Sequence, residues 1–560
     1  MKKLPYGISN YEELITENYY YVDKTKYIEQ LENISEKRIV FLRPRKFGKT
    51  LFTSTLEYYY DIKTSDKFDK LFGETYIGKN PTNLKNSYHI LRFNFSGIDT
   101  TNEENTIKGF KSKIMASIER FINRYNIDFY INKEDEAENI LYNLFIAFNT
   151  QKNGEKIYVI IDEYDHFANE LLGFSPEHFN NLVSQNGKVR KWYEVLKEAS
   201  ESVVDRIFIT GVAPITLDSL TSGFNIGKDL TRDREFNEML GFTKEELIKL
   251  MDDQGVLKEQ QEEIFPIMKE NYDGYKFSFK AKEKIYNSNM CLYFLNEYLR
   301  FNELPERLMD VNIASDYSKL EKMLNLCQGD NKKQILEETL TDKGFTAKII
   351  EKFNPKIGFS EQEFVSMLFY LGYLTIADEM LNNAVLKIPN NVMRELYAEF
   401  FIKIIEEETN LTMSLDDYNT VIQEVALKGE INKLVELTHK YLNRLSNRDY
   451  ERFDEKYVKL IFFCIAMNMS LYSVKSEPEY QRKYPDIMMI PRETGKGYQA
   501  VIVEFKYLKA GEKDMLEEKQ KEAKEQIEKY AKLEEIKTLE NLHKYTIVAI
   551  NDELYVEKID

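Results

Sequence analysis

The residues of this sequence most suited to phosphate chemistry are Gly48, Lys49 and Thr50, which follow an apolar run at 39–42 and a short basic loop. The run has the length and β-branched content of a buried parallel strand, and an apolar helix begins at the three residues. Backbone N–H groups at the start of such a helix attract a polyanion, and glycine lets the backbone approach it. Lys49 would then reach the β- and γ-phosphates of ATP, and the Thr50 hydroxyl would ligate Mg²⁺.

This loop departs from the usual phosphate-loop pattern at its first position. The pattern G-x-x-x-x-G-K-[ST] begins with glycine, whereas this chain has Arg43 followed by Pro44. The pattern is therefore half met, and a chance Gly-Lys-Thr in a lysine-rich chain is the alternative.

An acidic pair favours the phosphate loop over that alternative. Asp162 and Glu163 end a second continuous apolar run at 157–161. Asp162 can hold Mg²⁺ through water, and Glu163 can polarise the water that attacks the γ-phosphate. Thr210 ends a further apolar run and suits a residue that senses the phosphate, although strand-end threonines also serve structure. The alternative for the acidic pair is a helix N-terminus that carries acids because of the helix dipole.

A third group of residues lies near the C-terminus, where Asp486 precedes Glu504 and Lys506. Because side chains alternate along a strand, Glu504 and Lys506 share one face, beside Asp486 on the neighbouring strand. Two carboxylates can bind one or two Mg²⁺ ions, and a lysine can orient the attacking water or stabilise developing charge. These residues predict metal-dependent phosphodiester cleavage. A salt bridge at an exposed strand edge is the alternative for Glu504 and Lys506.

The elements around these residues indicate an α/β protein. Strands and helices alternate through the first part of the chain, with the polar groups at strand carboxyl ends, which is typical of a doubly wound parallel sheet. Helical spacing at 236–251 and 258–271 predicts a lid, and the region 302–454 reads as mostly amphipathic helix, with a winged-helix-like unit in its second half. A helix at 517–530 places Gln526 and Tyr530 on one face, because the two residues are four apart.

Composition narrows the class of protein. The formal net charge of −17 opposes general coating of nucleic acid, so contact with nucleic acid requires a local surface or a bridging metal. The three cysteines are far apart and predict neither a zinc site nor a disulfide framework. The first residues lack the apolar core of a secretory signal, and the longest apolar stretch, 460–469, is shorter than the roughly 20 residues of a membrane span. We therefore expect a cytoplasmic protein without a membrane partner.

Six stretches in order resemble the bacterial AAA-ATPase-like family. They are VDKT at 22–25, RPRKFGKT at 43–50, IIDEYD at 160–165, SGFNI at 222–226, GFT at 241–243 and YDGYKF at 272–277. Arg-Pro-Arg is usual in the loop of that family, so the resemblance places Arg43 in the nucleotide-binding loop. It also implies a C-terminal nuclease domain, because members tend to carry one.

The C-terminal group resembles the PD-(D/E)XK nuclease superfamily over residues 456–550. The resemblance rests on Asp486, on Glu504-x-Lys506 and on Gln526-x-x-x-Tyr530. It implies an added upstream acid, which is Glu477 or Glu479, with Glu477 preferred. Arg-Lys-Tyr-Pro precedes Asp486 where the family often has Gly-Arg, and retained catalysis is therefore a separate question from the fold.

The sequence thus predicts four regions and one coupled function. The regions are a P-loop AAA-ATPase-like core at 1–231, a helical lid at 232–301, a helical region at 302–455 and a PD-(D/E)XK nuclease-like domain at 456–560. ATP binding and hydrolysis would control Mg²⁺-dependent cleavage of nucleic acid, expected to be DNA, with Mn²⁺ as an alternative metal at the nuclease site. One rival is an ATPase switch or scaffold with an inert nuclease-fold recognition domain, and another is a nuclease with a structural nucleotide domain. The sequence leaves an oligomer open.

Overall fold

The computed structural model of the protein describes residues 2–166, 187–214, 227–310, 331–340, 344–351, 353, 360–445, 455–469, 471–478, 483–493 and 495–560. The chain forms two compact units. The first comprises Met1–Gly329 with Phe345–Asn391, and the second comprises Asp330–Gly344 with Val392–Asp560.

Strands and helices are numbered in chain order over the described residues. The strands are β1 (Arg38–Leu42), β2 (His89–Asn94), β3 (Ile157–Asp162), β4 (Val204–Gly211), β5 (Lys228–Asp229), β6 (Phe345–Ala347), β7 (Thr375–Met380), β8 (Asn383–Lys387), β9 (Tyr472–Ser476), β10 (Ile487–Pro491), β11 (Ala500–Leu508), β12 (Leu542–Ile550) and β13 (Glu553–Ile559). The α-helices are α1 (Tyr11–Thr16), α2 (Lys26–Asn33), α3 (Lys49–Tyr60), α4 (Phe68–Phe72), α5 (Tyr76–Lys79), α6 (Glu103–Tyr125), α7 (Ala137–Gln151), α8 (Lys188–Ala199), α9 (Lys244–Asp253), α10 (Lys258–Tyr272), α11 (Ser288–Phe301), α12 (Asn331–Leu340), α13 (Glu361–Leu371), α14 (Asn391–Thr409), α15 (Leu415–Gln423), α16 (Asn432–Leu442), α17 (Glu455–Met467), α18 (Leu516–Tyr530) and α19 (Glu534–Lys537). In these described parts, no helix is both long enough and apolar enough to cross a bilayer.

The first sheet has the strand order β2-β3-β4-β1-β5, and all its pairings are parallel. Strands β1 and β3 read RIVFL and IYVIID and are buried apart from Arg38. Such continuous apolar strands need cover on both faces, and helices such as α3 and α6 pack against the sheet. Since parallel strands end at a common edge, the carboxyl ends of β1, β3 and β4 meet there. The structure confirms the predicted doubly wound parallel sheet.

The lid helix predicted at 236–251 begins later than its spacing suggested. Arg234–Phe236 forms a short 3₁₀ turn, Gly241 has a φ of +83°, and α9 starts only after it. Thr243 caps α9, because its hydroxyl accepts from the Glu246 N–H while the Glu246 carboxylate accepts from the Thr243 N–H. This capping box and the left-handed glycine prevent the helix from extending back to residue 236.

Residues Phe345–Asn391 belong to the first unit and contain α13 and an antiparallel sheet with the order β6-β8-β7. They join the segment that ends α10: the Lys276 N–H donates to the Thr375 hydroxyl at 2.8 Å, and the Asn390 side-chain amide donates to the Asp273 carbonyl oxygen at 2.8 Å. One helix followed by a hairpin was predicted in this region. The winged-helix likeness and the boundaries at 302 and 455 stay predictions.

The second sheet has the strand order β13-β12-β11-β10-β9. The pairing of β11 with β12 is parallel, and the other pairings are antiparallel. Helix α17 packs against β9 and β11, and α18 packs against β11 and β12. Met488, Ile502 and Ile527 share an apolar core between the sheet and α18. This mixed sheet with its two flanking helices carries the C-terminal group of acids.

Candidate active sites

Gly48 begins α3 in a left-handed conformation, with a φ of +90°. A Cβ built at this position would come no closer than 4.0 Å to its nearest neighbour, Ser288 Oγ. Backbone conformation rather than space therefore favours glycine here. Lys46 also has a positive φ, of 67°, so the basic loop takes two left-handed turns before α3 starts.

The Lys49 side chain lies within the loop that precedes it. Its ammonium donates hydrogen bonds of 2.9 Å to the carbonyl oxygens of Arg43 and Pro44, and the residue is buried. Burial lowers the pKa of this ammonium to about 8, although the charges of Asp165 and Glu163 act in the opposite direction. A buried cation that is bonded only to neutral carbonyls can exchange them for a phosphate oxygen, to which its hydrogen bonds would be stronger.

Asp162 ends β3 as a fully buried carboxylate. Its Oδ2 accepts from the Thr53 hydroxyl and the Arg92 guanidinium at 3.4 Å, whereas Oδ1 has no hydrogen-bond partner. Burial raises the pKa of this carboxyl, while the nearby Arg92, Lys49 and Thr50 act to lower it. An unpartnered buried carboxylate oxygen near the Thr50 hydroxyl fits the oxygen ligands that Mg²⁺ prefers.

Glu163 directly follows and lines the same cavity as Lys49 and Thr50. Its backbone has a φ of +50°, a left-handed conformation that is uncommon for glutamate. The structure therefore brings Lys49, Thr50, Asp162 and Glu163 together, as predicted from the common edge of the parallel sheet. Their roles in binding and hydrolysis stay predictions.

Tyr164 and Asp165 anchor the turn that carries Glu163. The Tyr164 hydroxyl donates to the Ala213 carbonyl oxygen at 2.6 Å, and the Asp165 carboxylate accepts from the N–H groups of Val212 and Ala213 at 2.7–3.1 Å. The neighbouring Gly211 leaves room for this contact, since a Cβ there would lie 2.2 Å from Asp165 Oδ1. Asp165 thus fixes the end of β4 against the end of β3.

The Arg43 side chain packs in the core and bonds backbone groups around the phosphate loop. Its guanidinium is buried and lies 4.1 Å from the ring centres of both Phe41 and Phe277. Burial lowers the pKa of Arg43 to about 9. The guanidinium donates to the backbone carbonyl oxygens of Leu42, Thr231, Phe236 and Asn237. These contacts occupy both terminal nitrogens of the guanidinium, and the structure does not bring the Arg43 side chain to the predicted nucleotide-binding group.

Thr210 is also engaged within the sheet. Its hydroxyl donates to the Phe41 carbonyl oxygen at 2.8 Å, and the residue is buried. The contacts of Thr210 are therefore those of a structural residue, because its hydroxyl joins β4 to β1. Neither Thr210 nor Arg43 lines the cavity beside Lys49.

A cavity of about 400 Å³ opens beside the phosphate loop. This volume lies within the range of small-molecule sites. One side of the cavity is polar and includes Lys49, Thr50 and Glu163. The apolar and aromatic lining residues are Pro5, Ile8, Leu14, Tyr20, Tyr21, Val22, Phe47, Leu51, Phe52, Leu240, Phe242, Leu250 and Leu292. A polar phosphate end and an apolar wall together suit a nucleotide, whose base is a flat, largely apolar ring.

The N-terminal segment contributes to the wall of this cavity. The structure places Ile8, Tyr20 and Val22 on the cavity wall. Lys24 of the VDKT stretch donates to Glu246 Oε2 at 2.6 Å and so joins this segment to α9. The spacing of these residues does not predict the Lys24–Glu246 contact, because the contact arises from tertiary packing.

The SGFNI stretch at 222–226 and the alternative acid Glu479 lie outside the described residues.

In the second unit, Asp486 immediately precedes β10 and both of its carboxylate oxygens are engaged. Oδ2 accepts from the Phe505 N–H at 2.7 Å, and Oδ1 accepts from the Lys459 ammonium at 2.9 Å. The first contact fixes the carboxylate against β11. The second brings in a residue from α17.

Glu504 and Lys506 share one face of β11, as the alternation predicted. The Lys506 ammonium donates to Glu504 Oε1 at 2.9 Å, and Glu504 is buried. Its Oε2 is also buried but has no hydrogen-bond partner. Burial and the adjacent Asp486 carboxylate raise the pKa of Glu504, and Lys506 acts to lower it. The pair lies within the sheet rather than at an exposed edge, which weighs against the salt-bridge alternative.

Lys459 is the residue of this site that sequence reasoning missed. Its ammonium contacts carboxylate oxygens of both Glu477 and Asp486. One turn along α17, the Phe462 ring packs 5.3 Å from that of Phe505, which places the helix on the face of β11 opposite to that of Glu504 and Lys506. A signal was available, since Lys459 is the one charged residue in the stretch YVKLIFFCIAM at 457–467.

Helix α18 supplies the two other predicted residues. Tyr530 packs against the apolar core, and burial together with Glu504 and Asp486 raises its pKa to about 12. The Gln526 side-chain oxygen is buried without a hydrogen-bond partner. The effect of both acids on Tyr530 places this helix face beside the acidic site.

The two sites differ in how well their carboxylate oxygens are placed to bind a divalent metal. At the phosphate loop, Asp162 Oδ1 is unpartnered and the Thr50 side chain lies near the same carboxyl group, which fits a Mg²⁺ site. In the acidic site, Glu504 Oε2 offers a similar oxygen, but Lys459 lies between Glu477 and Asp486. Over the residues that the structure describes, no three His, Cys, Asp or Glu side chains form a ready metal cluster. The donor types fit a divalent metal, which Glu504 and Asp486 would hold.

These features define two compact units, one with a parallel α/β sheet and a Gly-Lys-Thr loop beside a cavity, and one with a mixed sheet that bears an acidic group. The family model described as predicted AAA-ATPase matches residues 5–221. The model described as PD-(D/E)XK nuclease superfamily matches residues 453–559. The two matches give the domain architecture of the chain, with an AAA-ATPase-like region at 5–221 and a region of the PD-(D/E)XK nuclease superfamily at 453–559.

Comparison with whole proteins also finds similarity. An uncharacterized protein in the vnfD 5′ region of Azotobacter chroococcum mcd 1 is 26% identical over 253 residues. The match covers 43% of this chain and 43% of that protein, so the chain spans less than half the length of the curated relative it matches. No solved structure matches the chain.

Proposed function

We propose that the protein binds and hydrolyses ATP at the phosphate loop, and that this activity controls metal-dependent cleavage of nucleic acid at the acidic site. The observation that carries the first half is the convergence of Lys49, Thr50 and Glu163 on one cavity with an apolar wall, with the buried Asp162 carboxyl beside Thr50. The second half is supported by Asp486, Glu504 and Lys506, which meet on adjacent strands.

At the first site, the chain's own residues would hold and orient the nucleotide. The Lys49 ammonium would leave the carbonyls of Arg43 and Pro44 and bind a phosphate oxygen. The Thr50 hydroxyl and Asp162 Oδ1 would hold Mg²⁺, directly or through water. Glu163 would accept a hydrogen bond from the attacking water and orient it.

At the second site, Asp486 and Glu504 would hold the metal, and Lys506 would orient the attacking water or stabilise developing charge. When bound, Mg²⁺ would neutralise phosphate charge and lower the pKa of its bound water. Gln526 and Tyr530 lie on the helix beside these residues and would contact the substrate or the metal-bound water. Glu477 would add a carboxylate on the outer side, where half of its side chain is exposed.

We propose DNA as the substrate and the cytoplasm as the location. The chain carries a formal net charge of −17, so the substrate would be held by local contacts and the metal rather than by a general positive surface. Mn²⁺ could replace Mg²⁺ at the acidic site.

One observation favours a second candidate, an ATPase switch whose nuclease fold serves only for recognition. The Lys459 ammonium contacts both Glu477 and Asp486, so the acids are already paired with a cation. If that pairing were permanent, the fold could bind nucleic acid without cleaving it.

The test is cleavage of single- and double-stranded DNA by the full chain, in Mg²⁺ or Mn²⁺, with and without ATP. Glu504→Gln serves as the control for the acidic site, and Lys49→Ala for the phosphate loop. We expect DNA cleavage that depends on the metal, changes with ATP, and disappears in Glu504→Gln. Cleavage of RNA alone would correct the substrate, whereas ATP hydrolysis and nucleic-acid binding with no cleavage of either substrate would establish the second candidate. Cleavage that is indifferent to ATP and to Lys49→Ala would contradict the coupling.

A further inference from the structure

Lys459 is a feature of the acidic site that metal-dependent cleavage does not explain. It is 8% exposed, in an otherwise apolar stretch of α17. A buried ammonium in such a helix is costly unless it has close anionic partners, and here it has Glu477 and Asp486.

The contacts of Asp486 show what Lys459 occupies. Its Oδ2 is bonded to the Phe505 N–H at 2.7 Å, which leaves Oδ1 as the oxygen better placed to bind a metal. Lys459 holds that oxygen, at 2.9 Å, and also contacts Glu477 Oε1. The ammonium therefore lies on the two carboxylate oxygens that an incoming cation would use.

We propose that Lys459 is an internal counter-ion that competes with the divalent metal for Asp486 and Glu477. The inference rests on the proposed function, because it assumes that Asp486 and Glu504 bind a metal. Lys459 keeps the buried carboxylates paired when no metal is bound, and metal entry requires the ammonium to release Asp486 Oδ1. The four-carbon stem of lysine allows this movement while the helix stays in place.

The charges of the site support competition rather than cooperation. Asp486, Glu504 and Glu477 supply three carboxylates, and Lys459 and Lys506 supply two ammonium groups. With Lys459 in place, only one negative charge remains to attract a divalent cation. Without Lys459, two negative charges remain, and Asp486 Oδ1 is released. Removal of the ammonium alone should therefore strengthen metal binding.

The test measures Mn²⁺ affinity directly, by calorimetry and by electron paramagnetic resonance of free Mn²⁺, in the full chain without nucleotide. All proteins carry Asp162→Asn, which removes the other candidate metal ligand. We compare Lys459→Met with Lys459→Arg, which keeps the charge, and with Lys529→Met, an exposed lysine on α18. We expect Lys459→Met to bind Mn²⁺ about tenfold more tightly, since a neighbouring charge of opposite sign to the ligands is removed.

Stability gives a second readout. Without metal, Lys459→Met should melt at a lower temperature than the parent, because two carboxylates lose their counter-ion, and saturating Mn²⁺ should restore the melting temperature. If Lys459→Met does not fold, Lys459→Gln provides a neutral side chain that can still donate a hydrogen bond. Unchanged or weaker Mn²⁺ binding in these folded neutral variants overturns the inference.

Glu504→Gln separates this inference from the proposed function. If Glu504→Gln loses the Mn²⁺ site while Lys459→Met matches the parent, the metal site stands and the competition is wrong. If the parent and Glu504→Gln bind Mn²⁺ equally, the acidic site is not a metal site, and both the inference and the nuclease half of the proposed function fail.

Discussion

The phosphate loop and the acidic site each surround a lysine ammonium with oxygen atoms, but the charge of those oxygens differs. Lys49 bonds to the neutral carbonyls of Arg43 and Pro44, and Lys459 bonds to the carboxylates of Glu477 and Asp486. Burial lowers the pKa of Lys49 to about 8. Burial also acts to lower the pKa of Lys459, but Asp486 and Glu477 outweigh it and the pKa is raised. The difference indicates that Lys49 is available to an incoming anion, whereas Lys459 is already neutralised by the protein's own anions.

The largest expected effect comes from removing the available lysine. Lys49→Ala should reduce the kcat for ATP hydrolysis by about 10³-fold, because the ammonium stabilises charge on the phosphates most strongly in the transition state. The measurement is phosphate release at saturating ATP. Lys70→Ala, at an exposed position on the short helix α4, is the control and should match the parent. Equal loss in both variants would mean that Lys49 has no special role.

The Arg43 guanidinium fixes the loop whose carbonyl groups accept hydrogen bonds from Lys49. Arg43→Lys should lower the free energy of unfolding of the first unit by about 3 kcal/mol, because a lysine cannot bond the same backbone carbonyls or stack between two rings. Hydrogen exchange of β1 and α3 amides would report this loss in the unit itself. Unchanged protection would show that the guanidinium does not fix the loop, and the contrast with Lys459 would lose its structural basis.

A pH series tests the difference in pKa between the two lysines. An ammonium with a pKa of about 8 is charged below pH 8 and neutral above it. ATP affinity should therefore be full at pH 7 and fall about tenfold by pH 9, since the charged fraction falls by that factor. Lys49→Arg should lose less ATP affinity over this range, because the pKa of a guanidinium is higher than that of an ammonium. A flat profile for the parent protein would contradict the lowered pKa.

The smallest effect tests the backbone of the loop. Gly48→Ala should destabilise the first unit by about 1 kcal/mol, because alanine pays the steric cost of a positive φ while its Cβ meets no close neighbour. Gly211→Ala provides a contrast, since its Cβ would lie 2.2 Å from Asp165 Oδ1 and should cost more. Thermal unfolding of both variants checks the order. A larger loss at Gly48 would show that space as well as backbone conformation restricts this position.

Sequence patterns predicted the parts of both sites that depend on local geometry. The strand-to-helix step at Gly48 and the alternation that pairs Glu504 with Lys506 follow from backbone periodicity alone. The common edge that joins Lys49 to Asp162 follows from parallel strand order. These contacts could be expected without knowledge of the rest of the chain.

The contacts that escaped prediction are tertiary. Arg43 and Thr210 stand at the positions expected for phosphate contact, yet their polar groups bond backbone carbonyls within the core. Lys459 reaches the acids only because α17 packs across the second sheet. The capping of α9 by Thr243 likewise overrides a helical pattern that begins earlier. In each case a side-chain hydrogen bond or ion pair determines the position of the residue or the start of the helix, and residue spacing alone does not predict it.

Glu163 and Glu477 each follow a strand that ends at one of the sites, and both have left-handed backbones, with φ values of +50° and +46°. Glycine adopts this conformation without the steric cost, which is about 1 kcal/mol or more for other residues. A laboratory selection for heat resistance alone should therefore recover glycine at both positions. Engineers who want a more stable form of this protein would need to keep Glu163 and Glu477 unchanged in their libraries. Glycine at these positions would raise stability but remove the side chains proposed to orient water and bind metal.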